Sequence, residues 1–319
     1  MHQKKKTLLV SMLILFVGIA FVTTASGKVV KSEVKYQWEA QEMTFQNKGV
    51  NIVATLTTPV ISRSRPIVLI LHGYGGERKG FPVEGTGEGY FERYSRILAE
   101  RGYCSLRIDF RGSGESIGGG GYEVTTFEGQ VSDAMAALTF IETLPDPVDT
   151  KRIAVTGHSQ GGLITSLLAA RDKRVDTVVL WGATSEPAHD YEGLILKSGI
   201  KQGLALADGE HITLPLFVDG VDIGLPMTMS KEFFVGLFAT DPLLSMKDYK
   251  GPVLYVSGIQ DNVVWPQPIV GWNFLNAHDG YEKLVTIDMG HNFDYYIGPE
   301  KLDMQIDESI RWIKETLGK

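Results

Sequence analysis

The sequence predicts an α/β fold in which a mainly parallel sheet is covered by helices on both faces. Segments of strand type and of helix type alternate along most of the 319 residues, which is the pattern of such sheets. Residues 67–71 and 177–181 are continuous apolar runs, as expected for strands buried on both faces. A third strand segment, residues 152–156, leads through a glycine-rich turn directly into a helix-type segment at 163–171.

Composition and charge exclude several classes of protein. Apolar residues make up 43% and charged residues 22% of the chain, which are ordinary values for a globular protein. The net charge is −7 and no basic stripe is present, so nucleic acid is not expected as a partner. Cys104 is the only cysteine, so no intramolecular disulfide can form and stability has to come from the core.

The first 27 residues are predicted to be a signal peptide. A basic start at residues 4–6 precedes an apolar stretch at 7–22 and a run of small residues at 23–27. The alternative is an uncleaved membrane anchor, because this apolar stretch approaches the minimum length that spans a bilayer. The protein is therefore expected to be secreted, or to contact the membrane only through an uncleaved N-terminal segment.

The elements before the glycine-rich turn follow in a clear order. Residues 41–48 and 50–57 alternate apolar and polar around Asn47-Lys48-Gly49, which predicts an antiparallel hairpin. After the strand at 67–71, the apolar periodicity predicts a helix near 90–101, a strand at 103–109 and a helix over 127–141.

Beyond the strand at 177–181, the alternation returns only in the last quarter of the chain, with a strand at 252–257, a helix at 267–276, a strand at 284–287 and a helix at 302–317. The interval of about seventy residues is far longer than a normal connection. It is rich in apolar residues, so residues 184–250 are predicted to form an inserted cap with a hairpin at 217–224. Residues 28–183 and 251–319 then form the main α/β domain.

Residues 157–162 (Gly-His-Ser-Gln-Gly-Gly) carry the candidate nucleophile, Ser159. A strand that turns sharply into a helix with serine at its apex exposes the hydroxyl beside the N-terminus of the helix. The pattern G-x-S-x-G also arises by chance, and the alternative is a glycine-rich turn with an exposed serine. Ser159 can act as a nucleophile only if the chain also supplies a base, an acid and an oxyanion hole.

An oxyanion hole is predicted at the carboxyl ends of the strands, where ligands bind in parallel sheets. Residues 72–76 (His-Gly-Tyr-Gly-Gly) follow a central strand, and their glycines let the backbone approach a substrate closely. The predicted donors are the backbone N–H groups of Tyr74 and Gln160. The alternative is a plain turn whose histidine packs below the site, and His72 is not assigned as a base.

His291 is the predicted base, because it is the only one of seven histidines that follows a strand near the C-terminus. Asp261 lies after the strand at 252–257 and is the predicted acid, which gives the chain order Ser159, Asp261, His291. Asp288 and Asp294 are rival acids because they lie beside His291. Sequence neighbours rarely present their side chains to each other in the required way, which favours Asp261.

Taken together, residues 72–76 and 157–162 resemble the motif pair of bacterial feruloyl (cinnamoyl) esterases, which are members of the α/β-hydrolase superfamily. Residues 107–116 are also similar to a stretch that those enzymes carry after their fourth strand. The likeness covers residues from about 40 to 318 apart from the predicted cap. It implies the α/β-hydrolase fold, with a mainly parallel eight-stranded sheet and an inserted cap.

The resemblance implies a serine esterase that forms an acyl-enzyme and hydrolyses aromatic hydroxycinnamate esters, and the predicted signal peptide implies that it is exported. The expected partner is a small-molecule ester, either free or attached to plant cell-wall polysaccharide. In these enzymes the cap helps to bind the aromatic acyl group, so Tyr191, Asp219 and Asp222 are candidates to contact a phenolic hydroxyl. No metal or organic cofactor is expected, because there is no H-E-x-x-H pair and no cysteine ligand set.

Three alternatives remain at this stage. A general carboxylesterase or lipase would prefer aliphatic esters. A peptidase of the acyl-peptidase type would use the same chemistry, although this chain lacks the large N-terminal propeller of those proteins. A non-catalytic binding protein with a hydrolase fold usually lacks a member of the catalytic triad, and here all three are present.

Overall fold

A computed structural model of the chain describes residues 21–23, 29–31, 35–218 and 220–318. The chain divides into two units, residues 1–34 and 35–319. In the first unit, strand β1 (Phe21–Thr23) pairs with β2 (Val29–Lys31) in an antiparallel ladder. Most of the predicted signal peptide, residues 1–27, lies outside the described residues. Within the described part of the chain, no helix has the length and apolar character to cross a membrane.

The second unit contains the elements that the sequence predicts, with small changes in their ends. Its strands are β3 (Trp38–Asn47), β4 (Val50–Pro59), β5 (Arg65–Leu71), β6 (Cys104–Ile108), β7 (Val148–His158), β8 (Thr177–Trp181), β9 (His211–Leu214), β10 (Phe217–Val218), β11 (Val221–Asp222), β12 (Met227–Ser230), β13 (Val253–Gly258) and β14 (Glu282–Ile287). Its α-helices are α1 (Tyr90–Glu100), α2 (Phe127–Ile141), α3 (Gln160–Arg171), α4 (Pro187–Leu204), α5 (Lys231–Ala239), α6 (Pro242–Asp248), α7 (Ile269–Ala277) and α8 (Glu300–Leu317), and a 3-10 turn spans Tyr122–Val124.

Eight of these strands form one sheet in the order β3-β4-β6-β5-β7-β8-β13-β14. β4 is antiparallel to both of its neighbours, and all the other pairs are parallel. The predicted eight-stranded, mainly parallel sheet is therefore confirmed. The predicted hairpin at its edge is also present, and Lys48 and Gly49 between its strands both have positive φ angles, as the tight turn of a two-residue hairpin requires.

Helices cover both faces of the sheet because successive side chains of a strand point in opposite directions. Along β5, Ile67, Leu69 and Leu71 belong to the core that contains α2, α3 and α7. Val68 and Ile70 belong to the opposite core, which contains α1 and α8. β8 is buried along its whole length, as its continuous apolar run predicts for a strand covered on both faces.

The helix after the glycine-rich turn begins three residues earlier than predicted. Gln160, Gly161 and Gly162 belong to α3, whereas the sequence places the helix start at residue 163. Glycine is a poor helix former, so the two glycines disguise the first turn. Their backbone is needed for close packing, since a Cβ on Gly161 would overlap the carbonyl oxygen of Leu71, and one on Gly162 would overlap the Ala183 side chain.

The described residues of the segment 184–250 form three helices and four short strands. β9 pairs with β12, and β10 pairs with β11 in the hairpin predicted for residues 217–224. Met246 of α6 is fully buried and belongs to the same core as α3. The division of the chain into a catalytic domain and a separate cap at these boundaries stays a prediction.

Candidate active site

Ser159 sits at the junction of β7 and α3 in a backbone conformation that is unusual for serine. Its φ and ψ angles are 54° and −120°, and non-glycine residues adopt positive φ rarely. Hydrogen bonds hold this conformation: the Ser159 N–H donates to the carbonyl of Trp181 at 2.9 Å, and the Gly162 N–H donates to the Ser159 carbonyl at 2.9 Å. Strain that the surroundings enforce in this way is typical of a functional position.

The glycine that precedes this serine by two residues is required by close packing. A Cβ on Gly157 would overlap the carbonyl oxygen of Gly161, because the helix folds back onto the strand that leads into it. The G-x-S-x-G pattern is therefore explained by packing in this turn. The alternative, a glycine-rich turn with an exposed serine, does not fit the buried position of Ser159.

His291 and Asp261 come together although they are thirty residues apart. His291 Nδ1 lies 2.8 Å from Asp261 Oδ2, and both residues are buried. The other oxygen of Asp261 accepts two backbone N–H groups, from Val263 and Val264, each at 2.9 Å. These bonds fix the carboxylate, which in turn fixes the orientation of the imidazole ring.

The rival acids make different contacts. Asp294 Oδ1 accepts the backbone N–H of Gly290 at 2.9 Å and so stabilises the turn that carries His291. Asp288 Oδ1 accepts from the Gln260 side chain at 3.2 Å in an exposed position. Of the three aspartates, the structure brings only Asp261 to the His291 ring by a hydrogen bond.

Gly182 is a member of the site that the sequence analysis missed. It follows β8 with a φ of +49°, and a Cβ placed on it would lie 3.2 Å from Asp261 Oδ2 and 3.6 Å from His291 Nδ1. Its backbone thus packs directly against the carboxylate–imidazole pair. A glycine at the carboxyl end of a central strand is the signal that could have identified it.

His158 supports the loop that carries His291. Its Nε2 lies 3.1 Å from the carbonyl oxygen of His291, and the two rings lie 4.8 Å apart between centroids. Burial, and then the nearby charge of His291, lowers the pKa of His158 well below its ordinary value. The neutral ring can satisfy this contact only by donating from Nε2, so His158 acts as a hydrogen-bond donor to the backbone.

His72 is likewise a buried neutral ring. Its Nδ1 donates to the carbonyl of Gly73 at 2.8 Å, and its Nε2 accepts the backbone N–H of Phe110 at 3.1 Å. Burial lowers its pKa. With both nitrogens engaged, His72 anchors the loop at residues 72–76, in agreement with the prediction that it is not the base.

The two predicted oxyanion donors flank Ser159. A Cβ on Gly73 would lie 3.2 Å from the Ser159 Cβ, so the loop passes directly over the serine and brings Tyr74 beside it. Gln160 is the first residue of α3, where a backbone N–H has no acceptor within the helix. The location of both residues suits the predicted role, which stays a prediction.

Ser159 and His291 line a common cavity of about 360 Å³, a size within the range of small-molecule sites. Tyr74 and residues 75–76 line it on one side. Its other walls are mainly apolar and come largely from residues 184–250, with Leu194, Leu216, Val218, Ile223, Leu225, Pro226, Met227 and Val263. The cavity therefore offers an apolar surface to the part of a ligand that extends away from the serine.

The structure places two of the three predicted contacts to a phenolic hydroxyl away from the lining of the cavity. Tyr191 is buried below the cavity, where its hydroxyl donates to the side chain of Gln160, and it is not among the lining residues. Asp222 is exposed on the β10–β11 hairpin, accepts the Gly224 N–H at 2.8 Å, and is also not among them. Asp219 lies outside the described residues. The sequence of residues 184–250 contains no motif, so it did not indicate whether these side chains point toward the cavity.

Among the residues with described positions, no group of three or more His, Cys, Asp or Glu side chains is arranged to hold a metal ion.

Comparison with known proteins agrees with this fold. A family model described as alpha/beta hydrolase fold matches residues 66–208. Esterase EstD from Thermotoga maritima is 24% identical over 285 residues, which cover 83% of this chain and 65% of EstD. Quorum-quenching protein AidA from Acinetobacter baumannii is 29% identical over 138 residues, which cover 43% of this chain and 42% of AidA. The chain thus spans less than two thirds of the length of either relative.

Solved structures extend the comparison to most of the chain. Est1E from Butyrivibrio proteoclasticus, in a structure with ferulic acid bound, has a TM-score of 0.67 and 22% sequence identity to this chain. The similarity covers 87% of this chain and 100% of Est1E. At that level of identity the likeness concerns the fold. With the eight-stranded sheet and the strand-to-helix turn at Ser159, the chain has the α/β-hydrolase fold and resembles Est1E in fold.

Proposed function

We propose that the chain is an ester hydrolase that uses Ser159 as nucleophile, His291 as base and Asp261 as acid. The observation that carries the proposal is the 2.8 Å contact between His291 Nδ1 and Asp261 Oδ2 at the edge of the cavity that Ser159 lines. An imidazole whose Nδ1–H donates to a carboxylate has a free Nε2 that can accept a proton. The strained turn at Ser159 supports the same assignment.

The reaction proceeds in two steps. His291 Nε2 removes the proton of Ser159 as the oxygen attacks the ester carbonyl, and the backbone N–H groups of Tyr74 and Gln160 stabilise the resulting oxyanion. His291 then gives that proton to the departing alcohol, which leaves an acyl group on Ser159. In the second step a water molecule loses a proton to His291, attacks the acyl carbon, and releases the carboxylic acid while Ser159 regains its proton.

The proposed substrates are esters whose acyl group is apolar and about the size of a hydroxycinnamate. Support comes from the apolar walls of the 360 Å³ cavity and from the fold shared with Est1E, which was solved with ferulic acid. A carboxylesterase for aliphatic esters is the second candidate. It is favoured by one observation: the walls contributed by residues 184–250 are aliphatic, and neither Tyr191 nor Asp222 reaches the cavity.

Export is part of the proposal. It rests on the basic, apolar and small-residue pattern of residues 1–27, and it assigns the activity to the outside of the cytoplasmic membrane. Release of a hydroxycinnamate from plant cell-wall polysaccharide would fit this location.

The experiment compares three methyl esters of similar size: methyl ferulate, methyl cinnamate without the ring substituents, and an aliphatic ester of equal length. Ser159→Ala is expected to reduce kcat by on the order of 10⁶-fold. Ser166→Ala, a buried serine of the same helix, is the matched control and should retain activity. Hydrolysis that survives Ser159→Ala would overturn the mechanism, whereas a preference for the aliphatic ester would overturn only the aromatic specificity.

A further inference from the structure

The side chain of Gln160, the residue after the nucleophile, is held by hydrogen bonds from three separate parts of the chain. Its Oε1 accepts the hydroxyl of Tyr191, which belongs to α4. Its Nε2 donates to Gln130 Oε1 of α2 at 2.6 Å and to the hydroxyl of Tyr122 at 3.4 Å. All four residues are buried, so water cannot replace these bonds.

The Tyr191 hydroxyl is a permanent donor in this arrangement. Burial, followed by the nearby hydroxyls of Tyr122 and Tyr74, raises the pKa of Tyr191 well above its ordinary value. The group therefore stays protonated and keeps its bond to Gln160. The amide of Gln160 can then rotate only by giving up bonds at both of its ends.

Tyr191 also contacts the other predicted oxyanion donor. The rings of Tyr191 and Tyr74 meet edge to face with centroids 5.1 Å apart, and Tyr122 packs on Tyr74 in the same way at 5.1 Å. The Tyr74 hydroxyl donates to the sulfur of Met229 on β12 at 3.0 Å. Both residues that supply the backbone donors are thus held by side chains from residues 184–250.

We propose that Tyr191 is a positioning residue that links residues 184–250 to the oxyanion hole. The inference rests on the proposed function, because it assumes that the N–H groups of Gln160 and Tyr74 stabilise the oxyanion. Such donors act only within about 2.7–3.1 Å of the developing charge. Displacements of about 1 Å in an active site cost on the order of 100-fold in rate. A side chain that fixes Gln160 therefore controls kcat without touching the substrate.

The test compares Tyr191→Phe with Tyr249→Phe. Tyr249 is a matched control, because it is a buried tyrosine of the same segment whose hydroxyl has no hydrogen-bond partner among the described residues. Three quantities are measured on the full chain: kcat, KM, and the inhibition constant of a trifluoromethyl ketone, which adds to the serine and forms an oxyanion. For Tyr191→Phe we expect kcat to fall and the inhibition constant to rise, each about tenfold, with KM within a factor of two.

A double-mutant cycle separates this role from a general loss of stability. Gln160→Met keeps the backbone N–H but removes all three side-chain hydrogen bonds, so its loss should be of the same kind as that of Tyr191→Phe and at least as large. The double variant should be no slower than Gln160→Met alone, because that change has already removed the bond to Tyr191. If Tyr191→Phe does not fold, Tyr122→Phe removes the weaker bond to Gln160 and should give a smaller loss of the same kind.

Several results would overturn the inference. A raised KM with unchanged kcat would mean that Tyr191 contributes to substrate binding instead. An unchanged inhibition constant, or losses that multiply in the double variant, would exclude an effect through Gln160. In another outcome, activity is lost in Ser159→Ala but is equally unaffected by Tyr191→Phe and Tyr249→Phe. That result would overturn this inference and leave the proposed function intact. Activity that survives Ser159→Ala would overturn the proposed function, and the inference with it.

Discussion

His291 Nδ1 lies 2.8 Å from Asp261 Oδ2, while the other carboxylate oxygen is occupied by two backbone N–H groups. Because an ionised carboxylate can only accept, this contact requires the Nδ1–H tautomer of the imidazole. The proton of Ser159 can then move only to Nε2. The acid thus determines which nitrogen of the base is available for the proposed reaction.

Asp261→Asn should reverse this tautomer. The asparagine amide can donate to Nδ1, which moves the ring proton to Nε2 and removes the acceptor that the serine needs. We expect kcat to fall by about 10⁴-fold with little change in stability. Asp294→Asn is the control, since Asp294 bonds to the backbone of the neighbouring turn. A loss for Asp294→Asn as large as that for Asp261→Asn would contradict the assignment of the acid.

A second prediction concerns a buried ion-pair network just after residues 72–76. The Arg78 guanidinium is fully buried and pairs with Asp109, which is also fully buried, and with Glu42 and Glu115. Removing one partner of a buried pair leaves the other charge uncompensated. Arg78→Met should therefore lower the free energy of unfolding by about 3–5 kcal/mol.

Chemical denaturation measures this effect. The control is Arg171→Met, whose exposed pair with Glu128 should contribute about 1 kcal/mol or less. Equal losses for the two variants would contradict the larger contribution assigned to the buried pair of Arg78 and Asp109.

The positions of Ser159, Asp261 and His291 could be predicted because each follows a strand, and parallel strands bring their carboxyl ends to one edge. The contacts of Tyr191 and Arg78 could not. Each depends on side chains that lie far apart in sequence, Tyr191 with Gln160 and Arg78 with Asp109, and no spacing rule connects such pairs.

The end of a helix was also hard to predict from the sequence when it depends on tertiary packing. Propensity placed the start of α3 after its two glycines, whereas close packing of the backbone requires glycine inside the first turn. The hairpin at Lys48-Gly49 was predictable because its turn chemistry is local. Sequence patterns thus predicted what depends on neighbouring residues and on strand order, and they missed what depends on tertiary contacts.

The third prediction is a pH dependence of stability that comes from Asp190, in the first turn of α4. Its side chain is buried, and its Oδ2 has no hydrogen-bond partner within the described part of the chain. Burial, and then the charges of Asp261 and Glu186, raises the pKa of Asp190 from 3.8 to about 8. The folded protein therefore holds this proton more tightly than the unfolded chain does.

The sign follows from this difference. Between about pH 4 and pH 8 the unfolded chain has lost the proton while the folded protein retains it, so Asp190 reduces stability as the pH rises through this interval. Asp190→Asn cannot ionise and should gain stability relative to the parent. We expect the difference in Tm between variant and parent to grow by about 2–4 °C or more from pH 4.5 to pH 8.5. A difference that stays constant over this range would contradict the assigned pKa.

The last prediction concerns the length of the proposed acyl site. Met227 lines the cavity, and a Cβ placed on Gly75 would lie 2.6 Å from the Met227 methyl carbon, so this side chain closes the cavity over residues 72–76. Met227→Ala should lengthen the cavity and favour larger acyl groups. One methylene in an apolar pocket is worth about 1–3 kcal/mol of specificity. The comparison uses the best substrate of the unmodified protein and an ester whose acyl chain is two carbons longer. The kcat/KM of the longer ester divided by that of the shorter ester should be about tenfold higher or more in Met227→Ala than in the unmodified protein.

Met135→Ala is the control for this change, because Met135 is an exposed methionine on α2, and it should leave the ratio unchanged. The measurement uses a series of nitrophenyl esters of increasing acyl length, so that the alcohol stays constant and only the acyl site is probed. If Met227→Ala slows all esters equally, Met227 acts by supporting the loop at residues 72–76. Only a shift toward longer esters would mean that the acyl chain extends past Gly75, along the wall formed by residues 184–250.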